Sequence, residues 1–254
     1  MTKANIQTTT FGIGEGFQED LLSDIAEKGE GNFFFVEKDE DFSAMLNIEM
    51  SGLTDATLTN VEVLIKSDNA IFKQLNGFKE DSNIIKLPNL RGSKKTELIL
   101  EFELFDKVSF AKKKTKGFTK INLGAVEISG LDVNGNKVTY KEEVSIQQVS
   151  DEDWSLLAAN GDIVLKKVML NVALEQQKAS DLILKGRVNE ARTLMASSVQ
   201  MLKDDYGTSE IAKAMANNIE ESLLKDNNAM SKSIRSTSYS SRYGFSNELD
   251  EKLN

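Results

Sequence analysis

The stretch TTTFGIGEGFQEDLL, residues 8–22, sets Gly12, Gly14 and Gly16 between a β-branched run and an acidic run with helical apolar spacing. Glycines at a strand-to-helix turn let backbone N–H groups approach a phosphate at the helix N-terminus. An acidic residue, Glu37, also ends the next strand-like run, near where a dinucleotide-binding fold places its ribose-binding acid. Three features oppose that chemistry. The spacing G-x-G-x-x-G needs glycine at position 17, where Phe17 stands. Glu15, Glu19 and Asp20 put negative charge where a pyrophosphate would sit, although acids in a first turn suit the helix dipole. No further β-α-β units follow. The stretch reads as a strand end turning tightly into a helix, and no cofactor-binding residue is assigned.

Other catalytic chemistry is narrowly bounded. The chain has 254 residues with no cysteine and no histidine. That excludes disulfides, zinc fingers, thiolate nucleophiles and His-based triads. The acidic pairs Asp151/Asp153 and Asp204/Asp205 are the remaining candidates for acid–base work. They fall at the ends of helical runs, where capping or solvation accounts for them. No catalytic residue and no metal ligand is assigned, and the chain reads as a non-enzyme.

The formal charge is −9, and residues 1–50 alone hold 11 acidic against 3 basic side chains. Such a chain repels nucleic acid and anionic membranes. The basic run Lys112-Lys113-Lys114-Thr115-Lys116 reads as a hairpin tip. No apolar stretch approaches the roughly 20 residues of a membrane span, and the N-terminus lacks a signal-peptide core. The expected location is cytoplasmic.

The elements that must position these residues fall into four zones. Residues 1–53 read β-α-β-α: a strand over 6–13, a helix over 17–28 with Leu21, Leu22, Ile25 and Ala26 as its stripe, a strand through Phe33-Phe34-Phe35-Val36, and a second helix capped by Asp39 or Asp41. That order implies parallel strands. Residues 54–150 change to period two, as at the start of 59–65 and in 98–104 and 138–144. Their turn signals, Asn134-Gly135-Asn136 above all, point to an antiparallel β-sandwich. Residues 151–227 read as helices over 163–184, 188–202 and 209–224 joined by short connections, a hairpin or bundle. Trp154, the only tryptophan, is expected to anchor this arm on the sandwich. Residues 228–254, including Ser231-Lys232-Ser233-Ile234-Arg235-Ser236, form a polar Ser-rich tail, expected to be extended or disordered.

Residues 8–46 also resemble the end of a von Willebrand factor A (VWA) domain. The resemblance rests on Gly12 and Gly14 ending an apolar strand, on Leu21-Leu22, Ile25-Ala26, Gly29 and Gly31, and on Phe33-Phe34-Phe35. The β-rich zone followed by helices is similar to the Vwaint-type arrangement of eukaryotic and protist VWA proteins and of bacterial calcium-activated-chloride-channel-like proteins. Gly186 to Arg192 resembles the eukaryotic group's helical hairpin. The resemblance implies an α+β multidomain protein: a partial α/β Rossmann-like VWA remnant, a β-sandwich and a helical segment. It implies a scaffold that binds other proteins. The family's Mg²⁺ site needs D-x-S-x-S, which is absent from this sequence. The alternative is therefore a fragment of a larger VWA protein with metal-dependent ligand binding or a ubiquitin-ligase-associated role, its metal motif upstream of Met1. Taken alone, strands 6–13 and 33–36 would expose a raw edge and two apolar faces, to be covered by the missing upstream half if the chain is a fragment, or otherwise by a partner or an oligomer. A helical-repeat adaptor, suggested by 179–202, is set aside because one hairpin is too few.

Overall fold

The computed structural model describes residues 6–92, 95–105 and 119–243. In chain order the elements are β1 (Thr8–Ile13), α1 (Glu19–Lys28), β2 (Glu30–Val36), α2 (Asp39–Thr54), β3 (Ala56–Ser67), β4 (Ala70–Gln74), β5 (Glu80–Asp81), β6 (Ile84–Leu87), β7 (Leu90–Arg91), β8 (Leu100–Leu104), β9 (Thr119–Leu131), β10 (Lys137–Gln148), α3 (Asp151–Leu156), α4 (Gly161–Leu184), α5 (Val188–Tyr206), α6 (Glu210–Leu224) and α7 (Asn227–Tyr243). They form two compact units, one from Met1–Thr54 with Asp162–Asn254 and one from Asp55–Gly161. The four consecutive zones read from the sequence thus become two bodies, because the helical zone folds with the α/β zone.

In the first unit β1 and β2 pair in parallel, with Thr10 beside Phe33, Phe11 beside Phe34 and Gly12 beside Phe35. Alternation sends Phe33 and Phe35 to one face and Phe34 and Val36 to the other. The second face is closed by α2. Phe34 and Val36 pack there with Met45, Phe11 and Phe42. The Glu49 carboxylate of α2 accepts from Thr9 Oγ1 at 2.6 Å and from Asn32 Nδ2 at 2.5 Å, tying both strands to the helix. The first face carries α1, where Thr10 Oγ1 donates to the Leu22 carbonyl at 2.9 Å. It also carries α7, where Phe33 meets the Tyr239 ring edge-on, centroids 6.2 Å apart.

Helices α4 to α7 share one apolar core built on Val172, Ala179, Met195, Leu202, Met215, Ile219, Met230 and Ile234. The turn Lys185-Gly186-Arg187 works as its composition suggests. Gly186 takes φ +75°, and the Gly186 and Arg187 N–H groups close back on the Ile183 and Leu182 carbonyls.

The Ser-rich segment departs from the sequence reading. Residues 227–243 are not an extended tail but a helix buried on most of its circumference. Asp226 Oδ1 caps it, accepting from the N–H groups of Asn228 and Ala229. Its hydroxyls then pair one by one: Ser231 with Ser180 at 3.0 Å, Ser233 with Ser222 at 2.8 Å, and Ser238 Oγ onto the Ala173 carbonyl at 2.5 Å. A low mean hydropathy is tolerated because most of the buried polar side chains, Ser231, Lys232, Arg235, Ser238 and Arg242 among them, have hydrogen-bond partners. Residues 244–254 lie outside the described residues.

The second unit is antiparallel throughout. The path β10-β9-β3-β6-β5, with β7 beside the start of β3, makes the larger sheet, and β4 with β8 makes the smaller. Val61, Val63 and Ile65 supply the buried face of β3, joined in the interior by Leu75, Phe78, Ile85 and Leu123. The β9–β10 hairpin turns at Asn134-Gly135-Asn136, with Gly135 at φ +81°. Asp132 accepts from the N–H groups of Asn134 and Asn136, which holds its carboxyl below the usual range. Trp154 is 70% exposed on a helix that buries no residue. The run Lys112 to Lys116 lies outside the described residues.

Candidate functional site

The glycine turn is built against itself. A Cβ on Gly12 would come within 2.3 Å of the Phe17 ring carbons, and the ring packs back over the strand end. Gly14 takes φ +65°, where glycine carries no steric penalty. Phe17 also faces Phe35 at 5.9 Å between centroids. The residue that breaks the dinucleotide spacing is therefore the one that fills the turn. The acid that would oppose a phosphate, Glu19, points inward to Lys232 Nζ at 3.2 Å. Asn228 Nδ2 of α7 reaches the Glu15 carbonyl at 3.2 Å.

Helix α7 carries two polar stripes at helical spacing. One, formed by Asn228, Lys232, Ser236, Tyr239 and Tyr243, faces α1 and β2. The other, formed by Ser231, Arg235, Ser238 and Arg242, faces α4, with Arg235 paired to Asp181 and Ser180 and Arg242 Nη1 donating to Gln177 at 2.7 Å. The first stripe touches backbone as well as side chains. The Phe35 N–H donates to Ser236 Oγ at 3.3 Å, and Tyr239 Oη donates to the Gly31 carbonyl at 2.7 Å. Strand groups that a further strand would otherwise satisfy are taken by helix side chains. Burial raises the phenol of Tyr239 well above its usual value, with the neighbouring Tyr243 acting in the same direction. Burial raises Tyr243 likewise, against the opposing pull of Arg242.

The apolar faces expected to be open on 6–13 and 33–36 are thus largely closed from within the chain, by α2 on one side and by α1 and α7 on the other. The open part is smaller. Among the described residues β1 has a ladder partner on one side only, β2. Ile6 and Ile13 beside that ladder are exposed, as are Leu21 and Ile25 of α1 and Leu46 and Met50 of α2. The spacings 21/25 and 46/50 are one helical turn each, so both helices flanking the strand pair carry an uncovered apolar step.

The acidic pairs considered for catalysis stand at helix ends. Asp153 accepts the N-cap hydroxyl of Ser150 at 2.8 Å, and Asp204 accepts from Gln200 at 2.7 Å on exposed α5 surface. No three Asp or Glu side chains converge as a metal-ligand group among the described residues.

No family model and no curated protein sequence matches the chain. Solved structures do. The chain is similar to a von Willebrand factor type A protein from Catenulispora acidiphila, with a TM-score of 0.65 and 12% identity over 92% of this chain and 58% of that one. It is similar to the ArnB paralog VWA2 from Sulfolobus acidocaldarius, with a TM-score of 0.55 and 14% identity over 93% and 56%. It is also similar to the human COPII-coat protein Sec24c, with a TM-score of 0.55 and 9% identity over 93% and 33%. The fold is VWA-like, in an α+β protein of more than one unit. The chain spans a little over half the length of the two VWA chains. No helix among the described residues is long and apolar enough to cross a membrane.

Proposed function

We propose that this chain is a non-catalytic protein-interaction scaffold of the VWA class, with a β-rich unit of Vwaint type, acting in the cytoplasm without a resident metal or cofactor. The observation that carries this reading is the asymmetry of the strand pair. The β2 side is closed by Ser236 and Tyr239, while the β1 side keeps exposed Ile6 and Ile13 with Leu21, Ile25, Leu46 and Met50 on the adjoining helices. An apolar, strand-edged surface of this kind suits a partner's extended segment, bound by main-chain hydrogen bonds and anchored by alternate side chains. The test is amide hydrogen exchange of Phe11 and Ile13 in the free chain and in complexes purified from its own cells. Slower exchange in the complex, lost with Ile13→Lys while the fold is retained, is the expected result. Equal exchange in both states rejects the surface.

A second reading is favoured by the share of the VWA structures that the chain spans. There the same β1 side is completed by more of the same polypeptide, which carries the metal-dependent ligand site. The intact mass of the native protein separates the two. A species well above 28.2 kDa supports the second reading, and a species at that mass supports the first.

A further inference from the structure

Helix α3 buries no residue, and residues 151–161 are exposed without a break. Within this run Trp154 is 70% exposed, Leu156 84% and Leu157 59%. Single apolar residues on a surface need no explanation, but three large ones within four positions form a patch. The patch is held in shape. Ser150 Oγ accepts from the Asp153 N–H at 3.0 Å and donates to its carboxylate, the Trp154 N–H bonds the Ser150 carbonyl at 2.8 Å, and the Leu157 N–H bonds the Trp154 carbonyl at 3.1 Å. Trp154 and Leu157, three residues apart, share one side of the turn. Asp151, Glu152 and Asp153 fill the first turn, and no basic residue occurs between Ser150 and Lys166.

The geometry points to α3 as a preformed docking motif for another protein, one that presents an apolar groove rimmed by lysine or arginine. Trp154, Leu156 and Leu157 are the anchors that enter the groove, and the three acids select the basic rim. Tryptophan is the residue type that most often dominates such contacts. Charges beside the anchors govern encounter and partner choice. The three carboxylates disfavour an anionic membrane as the occupant. The inference rests on the reading of this chain as an interaction protein and names a surface separate from β1.

Because Trp154 is the only tryptophan, 5-fluorotryptophan labels this site alone. The full-length labelled chain is followed by fluorine NMR while soluble extract of its own cells is added, and a photo-crosslinking residue is placed in parallel at Trp154 or at Ile13. The expected result is a broadened or shifted resonance that is reversed by a peptide spanning 150–160. A peptide with Leu156→Ser and Leu157→Ser, and one with Asp151→Asn, Glu152→Gln and Asp153→Asn, should each compete about tenfold less well or worse. The effect should also weaken as salt rises. Equal competition by all three peptides overturns the inference. A resonance that responds only to the chain's own concentration, with a dimer in sedimentation, also overturns it, since the occupant is then a second copy. Crosslinks from Ile13 with none from Trp154 reject α3 and leave the interaction reading standing. No response at either position rejects both.

Discussion

Lys232 of α7 and Glu19 of α1 are 213 positions apart in sequence and 3.2 Å apart in the structure, with side chains 2% and 3% exposed. The ammonium group also donates to the Asn228 amide oxygen at 2.5 Å and lies 4.9 Å from the centre of the Phe17 ring. A buried ion pair gains little over an apolar pair of the same shape, but one of its members alone is costly. The pair therefore fixes where α7 docks rather than adding much net stability. Lys232→Met should cost about 3–5 kcal/mol by leaving Glu19 uncompensated. Lys232→Met with Glu19→Leu should recover most of the loss. Urea midpoints of the four chains measure the coupling, and additive losses would contradict it.

The phenols of Tyr239 and Tyr243 give a pH prediction. Both are held neutral by burial, above the ordinary 10.0. A raised folded value stabilises the fold fully below the unfolded value. That stability is lost as pH rises from about 10 toward the folded value, because only the unfolded chain ionises there. Alkaline titration should show tyrosinate absorbance from these two residues appearing together with loss of helical circular dichroism. Tyr239→Phe with Tyr243→Phe should remove that part of the alkaline sensitivity. A reversible tyrosinate signal from either residue with the helices intact would refute it.

Gln176 lies fully buried on α4, and neither of its side-chain amide atoms has a hydrogen-bond partner. Desolvating such a group without compensation costs about 1–3 kcal/mol. Gln176→Leu, similar in volume and apolar, should raise the thermal midpoint of the first unit. An unchanged or lowered midpoint would mean that the amide contributes more than the structure assigns to it.

Gly12 and Phe17 should behave as one site. Gly12→Ala pushes a methyl into the Phe17 ring and should cost about 1–3 kcal/mol through overpacking. Adding Phe17→Leu should return part of that loss, since the smaller side chain yields space. A double variant no better than the sum of the singles would show that backbone conformation, not the ring, dictates glycine there.

Residues 227–243 are expected to be required for the integrity of the α/β layer. A chain ending at Lys225 should bind a hydrophobic-surface dye and lose protection across β2, because Phe33 loses the Tyr239 ring and the Phe35 N–H loses Ser236. Retention of β2 protection would show that α1 alone suffices.

Much of this architecture is written locally. Parallel pairing followed from the β-α-β order, and Phe33 to Val36 alternate into two covered faces as a continuous apolar run should. The Gly186 and Asn134-Gly135-Asn136 turns are set by residues that need no distant help. Helices α4 to α6 announce themselves by apolar period. Helix α7 did not, because its sequence is mostly hydroxyl and cationic, and such a segment orders only when each polar group meets a partner. Its faint signals were the pairs Met230/Ile234 and Tyr239/Tyr243, each one turn apart. The partners, Glu19, Gly31, Ala173, Ser180 and Asp181, come from elements as far as 213 residues away. Nothing local marked α3 as a helix that buries no residue and leaves Trp154 exposed. Local spacing and turn chemistry thus determined the elements and the pairing of neighbours. Only the tertiary structure decided which faces stay open, since closing a face depends on long-range contacts that no local pattern encodes.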